Sequence, residues 1–179
     1  MSKTILFLDV DGVFSIPNME DHHERRERIA IGGGHHIVCW PIPIYRQLIY
    51  AIGNDQQFHP VWLSAWGDAA HALTNRALTQ TFPVAYPLSN RRLRYAWQRF
   101  PAEHRDKIDR KLVSAVYHLC TRRYDRVIWV EDGFAEETKT WASSSNVRLI
   151  DTTDEAVKRM LLSCHEHAVE EFIEFLAGG

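Results

Sequence analysis

The chain opens with a short unbroken apolar run, Ile5 to Leu8, that ends in Asp9, resumes at Val10 and then meets Asp11 and Gly12. A run of that length without polar alternation predicts a strand buried on both faces, whose C-terminal end emerges into a polar setting. Runs of the same form occupy 60–64 (PVWLS) and 126–133 (RVIWVEDG), with a weaker one at 147–150. Helical patterning fills the gaps at 44–52, 69–78, 107–120 and 136–143. In the tail, 154–176, one apolar stripe of Val157, Met160, Leu161, Val169, Phe172, Ile173 and Leu176 predicts a helix. Strands alternating with helices predict an α/β fold, three-layer α/β/α and Rossmann-like, with a parallel central sheet.

One segment breaks the alternation. Residues 15–40 carry the charged stretch EDHHERRER and then RIAIGGGHHIVCW, which reads as two short strands around a Gly-rich turn. This predicts a small hairpin insert after the first strand, a cap or flap too short to be a separate domain. The 179 residues as a whole suit a single domain, 1–179.

Composition adds little to the fold but narrows the setting. With 45% apolar residues, 25% charged residues and a formal net charge of -2, nothing demands a nucleic-acid or membrane partner for the whole chain. Cys39, Cys120 and Cys164 are far apart and in no ligand-like spacing, which argues against a disulfide framework or zinc site and for a reducing, cytoplasmic setting. The first apolar run is too short and too soon interrupted by acids for a signal peptide or membrane span. Charge is uneven, however: residues 89–126 hold nine arginines and two lysines against four acids. A solvated helical face is the default for such a segment; beside an open pocket it would suit a polyanion such as a nucleic-acid end.

The chemistry concentrates where the predicted strands end. Ligands of open parallel sheets bind beyond the carboxyl ends of the strands, and here those ends carry Asp9 and Asp11, Ser64, and Glu131 with Asp132. Clustered carboxylates repel one another and call for a hard cation such as Mg²⁺, and a nearby hydroxyl and backbone N–H groups suit phosphate oxygens. The paired histidines His22-His23 and His35-His36 are expected as solvated loop residues, since neighbours in a strand point to opposite faces and cannot easily chelate one ion. His165 and His167, two apart on a helix, face apart. Trp66 and Trp40 are placed to line a pocket mouth, although packing is the default for each.

In kind and in order, these residues resemble the motifs of the haloacid dehalogenase (HAD) superfamily. LFLDVDGVF matches its first motif; the serine of VWLSAWGDAA, a lysine beside the helix KLVSAVYHLC and the acids of WVEDG follow, the likeness covering residues 4–150. More narrowly, with Trp141, the chain resembles small, minimally capped HAD phosphatases related to the phosphatase modules of RNA-repair proteins. The resemblance implies a HAD-like domain and a Mg²⁺-dependent phosphatase acting through an aspartyl-phosphate intermediate. Asp9 would be the nucleophile and a metal ligand. Asp11 would be the general acid and then base, its backbone carbonyl helping to hold Mg²⁺, and the presence of this second aspartate favours phosphoryl transfer over dehalogenation. The chain must turn just after Asp9, helped by Gly12, for both acids to serve one phosphoryl group. Ser64 would bind a phosphoryl oxygen, and Lys111, or Lys107 one turn earlier, would neutralise the charge on nucleophile and phosphate. Asp132 is the preferred acidic ligand, Glu131 an alternative direct or water-mediated one, and Glu136 a supporting contact. A phosphorylated small molecule or nucleotide, or a nucleic-acid end, is the expected substrate; the competing class is a non-catalytic phosphate- or nucleic-acid-binding protein on the same fold.

Overall fold

A computed structural model describes residues 3–16, 27–32, 35–100, 105 and 108–178. The first apolar run forms β1 (Thr4–Leu8), buried at every position. An antiparallel hairpin of β2 (Glu27–Gly32) and β3 (His35–Cys39) follows, then α1 (Tyr45–Asn54) and β4 (Phe58–Trp62). A 3₁₀ turn (Gly67–Ala70) leads through the single turn α2 (His71–Thr74) to α3 (Asn90–Trp97) and α4 (Arg110–Thr121). The chain ends with β5 (Arg126–Glu131), α5 (Glu136–Ser145), β6 (Val147–Asp151), α6 (Glu155–Leu162) and α7 (Ala168–Ala177).

Four strands make one parallel sheet in the order β4-β1-β5-β6, with Leu8 opposite Trp62 on one side and Val130 on the other. Side chains alternate along β1, so the sheet serves two cores. Leu6 and Leu8 join Trp62, Ile128 and Val130 against α1, α6 and α7, through residues such as Leu48, Ile49, Leu161 and Phe172. Ile5 and Phe7 join Val61, Leu63 and Trp129 against Leu112 and Ala115 of α4, with Trp141 of α5 at the margin. The result is the three-layer α/β arrangement expected from the sequence.

Connectivity then fixes where a site can form. The chain passes from β1 to β4 by way of α1 on the first face, and returns over β1 to β5 by way of α4 on the second. Right-handed crossovers require that change of face when the direction of travel reverses. The reversal falls between β1 and β5, so the carboxyl ends of these two neighbours mark the ligand crevice of such a sheet.

Three local expectations are corrected. The helix predicted at 69–78 is only a 3₁₀ turn and one α-turn, because the chain leaves to cover the edge of the sheet: Trp62 N–H donates to the Pro83 carbonyl and Ala85 N–H to the Trp62 carbonyl, both at 2.8 Å. The tail stripe forms two helices, broken at 163–167. One straight helix over it would run about 35 Å, against roughly 17 Å for a five-residue strand, so folding back lets both halves bury on the same face. His35 and His36 lie in β3 rather than in a loop, with His36 exposed; His22 and His23 fall outside the described residues.

The hairpin insert is present and is tied down. Arg76 pairs with Glu27 and donates to the Arg28 carbonyl at 3.2 Å, while Ile29 and Cys39 are buried in the first core. In the basic segment, α3 exposes Arg91, Arg92 and Arg94 and packs on α4 through the Tyr95–Tyr117 ring pair. No helix among the described residues is long and apolar enough to cross a membrane.

Candidate functional site

Asp9 is the first residue beyond β1 and is 3% exposed. Its N–H still donates to the Val130 carbonyl at 3.1 Å, which keeps the strand's direction as far as the carboxylate. The chain then turns: the Phe14 and Ser15 N–H groups both donate to the Val10 carbonyl at 2.9 Å. Gly12 makes this turn possible with φ +71°, and a Cβ there would lie 2.1 Å from the Cβ of Asp132. The loop after β1 therefore presses on the loop after β5. Thr152, just past β6, locks the two together: its Oγ1 donates to the Gly12 carbonyl at 2.8 Å and its N–H to the Glu131 carbonyl at 2.9 Å.

Lys111 enters from α4. The helix is capped by Asp109, whose side chain accepts the Lys111 N–H at 2.8 Å. With Leu112, Val113 and Ala115 buried, the helix start is held over the crevice and the lysine reaches into it. Its Nζ donates to Asp9 Oδ2 at 2.8 Å and also to Glu131 Oε1. The remaining oxygens of both acids are occupied, since Asp9 Oδ1 accepts the Val10 N–H at 2.7 Å and Glu131 Oε2 accepts the Trp129 indole N–H at 3.1 Å. Of the two competing lysines, Lys111 is the one seen at the crevice; Lys107 lies outside the described residues.

Carboxylate oxygens of Asp9, Glu131 and Asp132 converge to within 4.8 Å of one another. Three acids face one ammonium in the crevice. Burial, and then the neighbouring Asp9, push Glu131 well above the usual carboxylate range; the same two causes raise Asp132. Burial alone would lower Lys111, but the charges of Asp9 and Glu131 outweigh it and hold the ammonium above its ordinary value. Glu131 is 5% exposed with both oxygens engaged, whereas Asp132 is exposed. Asp132 is thus the acid open to solvent, and Glu131 the one paired with the lysine.

Asp11 and Ser64 flank this trio. Asp11 Oδ2 accepts the Trp66 indole N–H at 3.0 Å, and burial raises its pKa, with the Trp66 bond pulling it down and the charges of Asp9 and Asp132 pushing it up. Ser64 is fully buried two residues beyond β4, and its Oγ accepts the Trp66 N–H at 3.3 Å. Trp66 therefore joins the β1 and β4 loops, which is a different task from lining a pocket mouth. Trp40 contributes its backbone N–H to Ser15 Oγ at 3.1 Å. The expected contact from Glu136 is not made: it lies exposed in the first turn of α5 and pairs with Lys139 at 2.8 Å.

Trp129 and Thr152 were not singled out by the sequence. Trp129 had a readable signal, since it precedes Glu131 by two residues in one strand and so shares its face. Thr152 had none, because its partners are 140 and 21 residues away. Comparison of the chain with known protein families, with characterised proteins and with solved structures finds no match.

Proposed function

We infer that the protein is a Mg²⁺-dependent phosphatase that hydrolyses phosphomonoesters through an aspartyl-phosphate on Asp9. The observation that carries this reading is the Lys111 ammonium held 2.8 Å from a buried Asp9 carboxylate, at a point where Glu131 and Asp132 converge. The order of motifs resembling the HAD superfamily supports it as well.

The donor set fits the metal. All three side chains offer carboxylate oxygens, which favour a hard cation over a soft one, and Asp9 with Asp132 would hold it while Glu131 stays behind with Lys111. Bound there, Mg²⁺ would offset the charge of the phosphoryl group and orient one of its oxygens.

The chain's own residues supply the rest. An Asp9 oxygen attacks phosphorus; the bond to the leaving oxygen breaks, and Asp11 gives that oxygen its proton. Burial raises the Asp11 pKa, which favours the protonated form this step needs. In the second step a water attacks phosphorus, Asp11 takes its proton, and the acyl-phosphate P–O bond breaks to return the Asp9 carboxylate and release phosphate. Lys111 balances the charge shared by Asp9 and the phosphoryl group, and the Ser64 hydroxyl is the group assigned to a phosphoryl oxygen.

A phosphorylated small molecule or nucleotide is the substrate class. The exposed Arg91, Arg92 and Arg94 of α3 favour, as a second reading, a nucleic-acid end. Release of phosphate from an aryl phosphate with Mg²⁺, compared in wild type and Asp9→Asn, tests the mechanism: turnover that survives the substitution overturns it. Turnover of phosphorylated oligonucleotides against mononucleotides, at low and high salt, separates the substrate readings.

A further inference from the structure

At the opposite end of the sheet from Asp9, a cavity of about 350 Å³ opens where β1 and β4 begin, α4 ends and β5 is about to start. Lys3, Arg122 and Arg123 stand around it, with Phe58, His59 and Tyr124 among the residues of its wall, and no acid among the described residues lines it. Lys3 and Asp9 are six strand positions apart, about 20 Å, so the cavity is separate from the acidic crevice.

Its charge is unbalanced. Among the described residues, none of Lys3, Arg122 and Arg123 has a carboxylate at ion-pair distance of its side chain. Asp125, the nearest acid in sequence, instead accepts the Lys3 backbone N–H at 2.7 Å. A basic residue after the last turn of α4 offsets the helix dipole, but that accounts for one cation and not for three.

The wall is also built rather than incidental. Tyr124 stacks with two imidazoles, His59 at 5.7 Å and His118 at 6.5 Å between ring centroids. Arg122 Nη1 lies 3.3 Å from His59 Nε2, a contact that orients the guanidinium and makes the unprotonated His59 nitrogen the acceptor. Burial, then Arg122 and Lys3, hold the His59 pKa down, so the imidazole adds no charge of its own and the cations remain uncompensated. The Tyr124 hydroxyl and His118 Nε2 are closed off from solvent, with no hydrogen-bond partner among the described residues.

We propose that this cavity is a binding site for a phosphate group, free or carried as a small phosphomonoester, gripped by Arg122, Arg123 and Lys3. The guanidinium fork matches a tetrahedral oxyanion, and three cations suit a dianion better than a singly charged carboxylate. The cavity volume lies within the range of small-molecule sites. The site stands independently of the reaction inferred at Asp9.

Calorimetric titration of the metal-free protein with inorganic phosphate and with AMP, in EDTA at constant ionic strength, tests the site. Saturable binding is expected, at least about tenfold weaker in the Arg122→Gln/Arg123→Gln double variant. Tighter binding of AMP than of phosphate identifies the carried group as the ligand, and equal binding the free ion; both support the site. Lys3→Gln gives a second, single-charge reading should the double variant unfold. Absence of saturable binding by wild type, or binding that persists in the folded arginine and Lys3 variants, overturns the proposal.

Discussion

Trp66 donates its indole N–H to Asp11 Oδ2 at 3.0 Å, joining residues 55 positions apart in the chain. The bond holds in place an acid that sits on a tight turn, and it favours the charged form against the effect of burial. Trp66→Phe keeps a ring to pack against the core while removing the donor. Loss of a hydrogen bond to a carboxylate, about 1.5–3 kcal/mol, is expected to lower kcat for an aryl phosphate by at least about tenfold with little change in KM. Without the donor the Asp11 pKa rises further, so the limb of the pH profile where Asp11 must keep its proton moves to higher pH. An unchanged kcat and an unmoved limb would remove Trp66 from this role.

Asp132 and Glu131 are adjacent in sequence and differ in exposure, which separates their roles. Asp132→Asn removes an exposed carboxylate that crowds Asp9, so the metal-free protein should unfold at the same temperature or higher. The rise in Tm on adding Mg²⁺ should shrink, with the apparent affinity down at least about tenfold. Thermal unfolding at several Mg²⁺ concentrations reads both. A full Mg²⁺ response in the variant would move the metal away from Asp132.

The sequence made the strands and their polar ends legible because each apolar run is short, unalternated and stopped by acid, serine or glycine. Asp9, Lys111, Glu131 and Asp132 lie far apart in sequence yet meet, because parallel strands deliver their carboxyl ends to one side and α4 starts on that side. What was not legible depends on which face a residue takes after the strand ends. Glu136 is four residues beyond Asp132 but belongs to a new helix and turns outward, while Trp66 turns inward to Asp11. The break in the tail was hidden for another reason: the apolar stripe continues through both α6 and α7, and only the length of the sheet face requires the chain to fold back.

Gly12 is required twice over, by a φ of +71° and by the Asp132 Cβ that a methyl group would meet at 2.1 Å. Relief would require the loops after β1 and β5 to part, although Thr152 pins both. Gly12→Ala is expected to cost at least about 2 kcal/mol in urea unfolding and to weaken Mg²⁺ binding. At Gly133, with φ +131°, an added methyl group would meet no described atom within 4 Å, so Gly133→Ala bears backbone strain alone and should cost less. Equal losses in the two variants would contradict the close packing of the loops.

His118 gives the fold a sensitivity to acid. Its ring makes a T-shaped contact with Phe7 at 5.9 Å between centroids and stacks on Tyr124, and burial, followed by His59 and Arg122, lowers its pKa to about 4. The unfolded chain takes up this proton near pH 6.5, whereas the folded protein resists until about pH 4. Between those values the unfolded state binds more protons, so stability present above pH 6.5 is lost as pH falls through the window. With the ring partly open to solvent, the discounted loss is on the order of 1–2 kcal/mol. His118→Phe keeps an aromatic ring and cannot titrate, so its unfolding free energy should fall less steeply than that of wild type between pH 6.5 and 4. Parallel curves for the two proteins over that range would show that His118 is not the group that titrates.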